Sequence, residues 1–310
     1  MILLYVLDNF INDDCVLYGN SEDGLYILEN IYNERPSLPY RAIGVGTPAA
    51  PEYICIDLGT YSGVEHNVTF VGMFNHNLTT LAVANDLLTL KGCDDACPDE
   101  SGACDWEHSA MCYTDLTSMP GDLCSECTGL QPITDFRNLW HKVDCAPGYR
   151  YWMLEIVDQA NSDGYIEIGE LVLGQWQQFP RGILDAGIAT DPWVRLSPGR
   201  VDGPEFFMGK QRTHWGQDWS TYYSECERFE LTFTTQNDPC RVDAVHTFLK
   251  AVQRTGGRFV LVPDDTKPFC YYMIVDNLRD FADRLVYGRT RELREWRLKL
   301  KTLTEGVRLL

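Results

Sequence analysis

Hydrophobic and polar residues alternate along much of the chain, which is the pattern of strands with one buried face. Trp152, Leu154 and Ile156 share one face of such a strand, while Glu155 lies on the other. The connection 158–164 is rich in Asp, Asn and Gly, which bond their own backbone or tolerate positive φ, and apolar residues resume directly after it. The pattern predicts two strands that fold back on each other through a polar turn, as a hairpin.

Further strands are predicted where short apolar runs stand between turn-forming residues. Helical periodicity is absent from residues 8–60, so this part of the chain is expected to be all-β. The N-terminal apolar run is interpreted as a first strand. The predicted strands are residues 1–7, 53–58, 67–74, 80–84, 86–90, 136–143, 229–234, 258–263, 270–275 and 295–303.

One helix is predicted in the second half of the chain. Asp238 can cap its N-terminus, and Pro239 suits the first helical position. Four apolar residues at helical spacing form one stripe, and Gly256 with Gly257 ends the helix. The stripe consists of Val242, Val245, Leu249 and Val252.

The length of 310 residues exceeds what one hydrophobic core usually supports, so two domains are predicted. We expect a first β-rich domain over residues 1–180 and a second over 181–310. Residues 92–130 interrupt the first domain with six cysteines, nine acidic side chains and no Lys or Arg, so they are expected to form an insertion. The predicted fold class is mainly β, with one helix.

The formal net charge of −19 excludes nonspecific binding to nucleic acid or to anionic membranes, which needs clustered cations. The C-terminal strand is a local exception, because Arg297, Lys299 and Lys301 alternate with apolar residues. This cationic face is either exposed to solvent or a binding surface for an acidic neighbouring subunit. The N-terminal run has no preceding positive charge and meets Asp8 early, so we expect neither a signal peptide nor membrane insertion.

The cysteines of the insertion are the main candidates for unusual chemistry. Cys93 with Cys97 and Cys124 with Cys127 form two close pairs, the arrangement that holds structural zinc or an iron-sulfur cluster. His108 could replace one thiolate ligand. The alternatives left open are free thiols, or three disulfides that also use the two remaining cysteines of the insertion. Those two are Cys104 and Cys112.

No catalytic motif accompanies these residues, and we predict that the chain is not an enzyme. His76 lacks a nearby nucleophile, so a hydrogen-bonded histidine at a strand end is expected. The loop after Ile156 holds Asp158, Asn161 and Asp163, but Ala160 occupies a ligand position of a calcium loop, which favours plain turn chemistry. Aromatic residues that could stack on sugar rings are Trp106, Tyr113, Trp215, Trp219, Tyr222 and Tyr223.

Six short motifs occur in order along the first part of the chain: Ser21–Glu22, Pro39–Ala42, Ile56–Gly59, Phe74–Leu78, Tyr151–Ile156 and Asp163–Gly169. As a set they resemble the discoidin-like, galactose-binding-type jelly rolls of tail proteins from long-tailed bacteriophages. The set covers about residues 8–175 without the cysteine insertion. The second half of the chain, with its capped helix and its Trp-containing last strand, is similar to the C-terminal β-domains of distal-tail and tail-tip proteins.

The resemblance implies a structural protein of a phage virion, at the distal tail or tail tip, assembled in the host cytoplasm. Its partners would be other tail proteins and further copies of the same chain in a homo-oligomer. A carbohydrate-binding adhesin that recognises a host glycan is the alternative from another class. Both readings are expectations at this point.

Overall fold

The computed structural model describes most of the strands and the helix of the chain. The described residues are 4–35, 38–59, 67–78, 87–93, 106–108, 138–142, 148–178, 194–198, 205–212, 218–226, 228–234, 239–262, 270–277, 295–302 and 305–306.

Twenty strands, one α-helix and one short 3-10 helix make up the described secondary structure. The strands are β1 (Leu4–Val6), β2 (Val16–Gly19), β3 (Tyr40–Arg41), β4 (Glu52–Asp57), β5 (Phe70–Phe74), β6 (Leu87–Cys93), β7 (Trp106–His108), β8 (Asn138–Lys142), β9 (Tyr151–Val157), β10 (Glu167–Ile168), β11 (Glu170–Gly174), β12 (Trp176–Gln178), β13 (Val194–Pro198), β14 (Glu205–Arg212), β15 (Asp218–Cys226), β16 (Arg228–Thr234), β17 (Arg258–Val262), β18 (Tyr271–Val275), β19 (Glu295–Thr302) and β20 (Glu305–Gly306). The helices are η1 (Leu28–Tyr32) and α1 (Pro239–Arg254).

The predicted fold class is confirmed: the chain is mainly β, and its strand pairings are antiparallel. By contacts between residues it divides into two compact units. Unit 1 contains residues 8–176 and 264–270, and unit 2 contains residues 3–7, 177–263 and 271–310. We predicted a division at residue 180; the main change between the units falls at residues 176 and 177, and unit 2 also takes in β1.

Unit 1 is built on a β-sandwich of the jelly-roll type. A five-stranded sheet in the order β2-β4-β9-β6-β7 faces a three-stranded sheet in the order β11-β5-β8. Alternate residues of both sheets point inward and form one core, as strands with one buried face require. Its members include Ile56 from β4, Trp152 from β9, Met73 from β5 and Leu171 from β11.

The hairpin predicted over residues 151–174 is wrong in its pairing. β9 forms as predicted, but it pairs with β4 and β6, whereas the later residues form β10 and β11, which pair with β3 and β5. The connection between the arms therefore crosses from one sheet to the other. Strands form in both arms as predicted, but buried residues lie on both faces of β9 and β11, and the partner of each arm is a distant strand.

Unit 2 contains a seven-stranded antiparallel sheet in the order β12-β1-β17-β18-β19-β16-β13. The helix α1 begins at Pro239 and ends before Gly256 and Gly257, which both have positive φ, as the sequence predicts. Its apolar stripe enters the core of the unit with the inward-facing residues of β19. Buried members of this core are Val245, Phe248, Leu249, Val252, Leu298 and Leu300.

The cationic face of β19 is partly neutralised within unit 2. Arg297 lies 3.8 Å from Glu230, and Lys301 lies 3.2 Å from Asp276. These pairs are largely exposed to solvent, so each contributes little to stability. Within the described part of the chain, no helix is long and apolar enough to cross a membrane.

Candidate functional site

An arginine stacked on two tyrosine rings stands at one end of the unit 1 sandwich. Arg41 lies in the short strand β3, and its guanidinium carbon is 3.9 Å from the ring centroid of Tyr26 and 4.1 Å from that of Tyr165. Both rings therefore lie within stacking distance of the guanidinium. Stacking of this kind is attractive, because the face of an aromatic ring is electronegative.

A carboxylate completes the surroundings of Arg41. Glu167 of β10 lies directly opposite Arg41 in the strand pairing, so the two side chains meet across the ladder. The Arg41 Nε and Nη2 atoms donate hydrogen bonds to Glu167 Oε2 at 3.3 and 2.8 Å. Asp23 Oδ2 lies 3.9 Å from Arg41 Nη1. The guanidinium is therefore held by two rings and two carboxylates.

Four chain segments meet around this stack, and we refer to them together as the Arg41 surface: residues 20–27, 40–47, 75–78 and 158–167. Backbone hydrogen bonds join the first two, from Asp23 N to Arg41 O and from Arg41 N to Tyr26 O. The second and fourth are joined by bonds from Ala42 N to Ile166 O and from Ile166 N to Gly44 O. Loops tied together in this way present their side chains in defined positions.

Asn77 joins the third segment to the fourth. Its side-chain amide donates to Asp163 Oδ2 at 3.0 Å and to Tyr165 O at 2.9 Å, and its Oδ1 accepts from Glu167 N at 2.6 Å. Asn161 in turn donates to Asn77 O at 3.2 Å. The Asn77 side chain thus bonds to Asp163, Tyr165 and Glu167, and it holds the segment that carries Tyr165 in place.

The loop after β9 shows the turn chemistry predicted for it. Asn161 donates to Asp158 Oδ2 at 3.2 Å, and Asn161 Oδ1 accepts from Asp163 N at 3.0 Å. Gly164 has a φ of 78°, a conformation that glycine adopts without strain. These side chains bond to each other and to the backbone.

His76 is the hydrogen-bonded histidine that the sequence predicts. It follows the end of β5, and its Nδ1 accepts a hydrogen bond from Leu78 N at 3.2 Å. Burial lowers the pKa of His76 to about 3, so its ring is neutral at physiological pH.

Exposed apolar side chains lie on the same segments as the stack. Leu25 is 82% exposed at the tip of the tight turn from Asp23 to Tyr26, and Ile43 is 67% exposed two residues after Arg41. An exposed leucine alone needs no explanation. Here, however, apolar groups, aromatic rings and carboxylates share one surface, which is the mixture that small-molecule sites use.

A second polar cluster lies at the opposite end of β4 and β9. Arg150 donates two hydrogen bonds to Asp57, at 2.8 and 2.7 Å, and its guanidinium lies 4.7 Å from the ring centroid of Tyr151. The hydrogen bonds from Arg150 hold the pKa of Asp57 below its usual value. Asp57 also accepts from Gly59 N at 2.8 Å, so the cluster fixes the chain as it leaves β4.

One buried acid has no described role in either cluster. Glu170 begins β11 opposite Phe74, is fully buried, and has no hydrogen-bond partner for either carboxylate oxygen in the described structure. Burial raises its pKa to about 9. Glu170 is therefore protonated at neutral pH, because the charged form would lose its hydration without compensation.

The predicted metal or disulfide site falls almost entirely outside the described residues. Cys93 is buried at the end of β6, opposite Tyr151. The described residues contain no group of three or more side chains that could hold a metal ion. Cys97, Cys104, Cys112, Cys124 and Cys127 lie outside the described residues, so zinc, an iron-sulfur cluster and three disulfides all stay predictions.

A different cysteine is cross-linked. Cys55 lies fully buried in β4 and is disulfide-bonded. The sequence analysis did not single it out, because Cys55 stands alone in an apolar strand and no close spacing marks it.

The aromatic residues proposed for sugar stacking receive no test. The side chains of Trp106, Trp219, Tyr222 and Tyr223 are not described, and Tyr113 and Trp215 lie outside the described residues. Conversely, sequence reasoning missed Tyr26, Arg41 and Tyr165. The signals were the motifs Pro39–Ala42 and Asp163–Gly169, which contain Arg41 and Tyr165 but do not indicate that the two residues are in contact.

No protein-family model matches the chain, and no curated protein matches it. Solved structures that superpose on part of it include the family 32 CBM from Clostridium perfringens NanJ in complex with galactose, at 10% identity and a TM-score of 0.33, covering 57% of this chain and 100% of that one. The lectin domain of lectinolysin complexed with Lewis B antigen gives 10% identity, a TM-score of 0.34, and coverages of 54% and 96%.

The chitosan-binding module 1 from a Paenibacillus sp. IK-5 chitosanase/glucanase gives 11% identity, a TM-score of 0.34, and coverages of 54% and 99%. Identities and TM-scores this low are no basis for a functional argument. The ligands named for these proteins are therefore not assigned to this chain.

Proposed function

We propose that this chain is a glycan-binding protein without catalytic activity, and that the Arg41 surface holds the sugar. The observation that carries the proposal is the stack of Tyr26 and Tyr165 on Arg41, beside Asp23 and Glu167. The proposal thus takes carbohydrate binding, the alternative in the sequence analysis, as the main function, in preference to a purely structural role in a virion.

The chemistry of a sugar matches that of the Arg41 surface. A pyranose ring has apolar C–H faces that pack on aromatic and aliphatic groups, and hydroxyls that bond to carboxylates and amides. On the Arg41 surface, Tyr26, Tyr165 and Leu25 can pack on the C–H faces of the sugar. Asp23 and Asp163 can accept hydrogen bonds from its hydroxyls.

The side chains of the Arg41 surface are also held in fixed positions before a ligand binds. The bonds of Asn77 and the ion pair of Arg41 with Glu167 hold the rings in place without a ligand. A binding surface that is already ordered loses less conformational entropy on association, so modest contacts suffice for selectivity.

Placement in a phage tail is a finer proposal, and it rests on the resemblance of the sequence motifs alone. A tail-tip adhesin would combine both readings, since it would bind other tail proteins and a host glycan. The three solved structures described above do not bear on a tail location. Location of the chain in intact particles by electron microscopy tests this part separately.

The glycan-binding proposal is tested on an array of neutral, amino and acidic glycans. We expect selective binding, and we expect Tyr26→Ala and Tyr165→Ala each to weaken it by about tenfold, the scale of one lost aromatic contact. Tyr18→Ala is the matched control, because Tyr18 is 53% exposed on β2 and belongs to no segment of the Arg41 surface. Absence of selective binding, or an equal loss in the control, would overturn the proposal.

A further inference from the structure

The charge of the Arg41 surface limits which glycans it can hold. Its four segments carry five carboxylates, and Arg41 is the one Lys or Arg among them, which gives a formal charge of −4 with His76 neutral. The carboxylates are Glu22, Asp23, Asp158, Asp163 and Glu167. The whole chain has the same sign of charge, with a formal value of −19.

Arg41 does not make the surface attractive to an anionic ligand. Its Nε and Nη2 atoms already donate to Glu167, and Asp23 lies beside Nη1. The rings of Tyr26 and Tyr165 also lie 3.9 and 4.1 Å from its guanidinium carbon. A sugar carboxylate or sulfate at Arg41 would lie beside Asp23 and Glu167, whose negative charges repel it.

A cationic group, in contrast, finds accessible carboxylates. The Asp23 side chain is 38% exposed, and Asp163 is exposed two residues before Tyr165. Leu25 follows Asp23 by two residues, and Ile43 is tied to the same segment through a hydrogen bond from its N to Ser21 Oγ. Both are exposed and can pack on the ring that bears the cation. The negative field of the surface concentrates cations around it and repels anions.

We infer, resting on the proposed glycan-binding function, that the Arg41 surface selects amino sugars with a free, protonated amine and rejects acidic sugars. Sugar rings pack on the aromatic and apolar groups, and the amine lies against Asp23. Neutral sugars bind through the same rings with lower affinity, because they lack the attraction of the amine.

The experiment uses three soluble probes of equal length on the full chain: oligosaccharides of glucosamine, of N-acetylglucosamine and of galacturonic acid. Isothermal titration calorimetry at pH 6 keeps the amine protonated and the carboxylates of the acidic probe ionised. We expect the amine probe to bind at least about tenfold more tightly than its acetylated form, and the acidic probe not to bind. Raising the salt concentration should weaken only the amine probe, because screening acts on charge.

Matched variants locate the charge that matters. Asp23→Asn keeps the Oδ1 atom that accepts from Leu25 N, so the turn is retained while the charge is lost. We expect about threefold weaker binding of the amine probe and no change for the acetylated probe, the scale of one exposed ion pair. Asp14→Asn is the control. Asp14 lies two residues before β2, whereas the Arg41 surface begins directly after β2, so this variant should change the affinity for neither probe.

The outcomes separate this inference from the proposed function. Equal or tighter binding of the acetylated probe, or binding of the acidic probe, overturns the amino-sugar inference and leaves glycan binding standing. Absence of binding by every probe and on the glycan array overturns both. Loss of amine binding in Asp14→Asn equal to that in Asp23→Asn shows a general charge effect and overturns the assignment to this surface.

Discussion

Replacement of Glu170 by glutamine should stabilise the protein, and more so as the pH rises. Glu170 is fully buried in β11, and neither carboxylate oxygen has a hydrogen-bond partner in the described structure. Burial raises its pKa from 4.5 to about 9. Because the pKa in the folded protein is the higher one, this group contributes its full stability below pH 4.5 and loses it as the pH rises towards 9.

The magnitude follows from the two pKa values. Between pH 4.5 and pH 9 the folded protein carries a proton that the unfolded chain has released, at a cost of about 1.4 kcal/mol per pH unit. At pH 7 this cost is about 3 kcal/mol, and over the whole interval about 6 kcal/mol. Glutamine has nearly the same shape and does not titrate, so Glu170→Gln removes the cost.

Urea unfolding followed by tryptophan fluorescence measures the effect, since Trp140 and Trp152 are fully buried in unit 1. Wild type and variant are compared at pH 5, 6, 7 and 8. We expect the difference in the free energy of unfolding to grow with pH by about 1.4 kcal/mol per unit. Glu29→Gln changes an exposed side chain of η1 and controls for the altered net charge.

A difference that stays constant between pH 5 and pH 8 would refute the reasoning, because it would show that Glu170 has the same protonation state in the folded protein and in the unfolded chain over this range. So would a carboxyl carbon of Glu170 that titrates near pH 4.5 by NMR. Either result would mean that the carboxylate is charged and solvated or paired in the folded protein.

Two further predictions concern the backbone and the cysteines of unit 1. Gly46→Ala should lower the free energy of unfolding by more than about 2 kcal/mol, because Gly46 has a φ of 70° and a Cβ there would collide with the carbonyl oxygen of Ile156. Gly164→Ala has a φ of 78° but open space around the new Cβ, so it should cost about 1 kcal/mol; equal losses would contradict the collision. Peptide mapping of the unreduced, denatured protein should recover Cys15 in alkylated form and Cys55 only after reduction; alkylated Cys55 before reduction would disprove its disulfide.

The strands were largely predictable from the sequence, because apolar and polar residues alternate in a strand that buries one face. The alternation in Trp296–Thr302 was expected, and Leu298 and Leu300 are buried while Arg297 and Lys299 are exposed. The same pattern does not record which strands pair. The two arms around Asp158 are neighbours in sequence yet belong to different sheets, and only tertiary packing decides this.

The candidate site was less predictable for a related reason. Arg41, Tyr26 and Tyr165 come from three segments, none of which carries a local motif for binding, and their distances depend on the folded sandwich. Glu170 was equally hidden, since one acid in an apolar run looks like the exposed member of an alternating strand. The structure places it on a buried face, opposite Phe74.

The position of β1 has a consequence for the order in which the protein folds. Leu4 of β1 pairs with Val262 of β17, so β1 must wait until residues 8–176 of unit 1 and much of unit 2 have been synthesised before its partner exists. Unit 1 can meanwhile form most of its contacts from residues 8–176. We therefore expect unit 1 to fold first during synthesis and unit 2 to close last, since its sheet depends on the pairing of β1 with β17, which are far apart in sequence. An N-terminal deletion through β1 would then harm unit 2, the unit farther along the chain, before it harms the neighbouring sandwich.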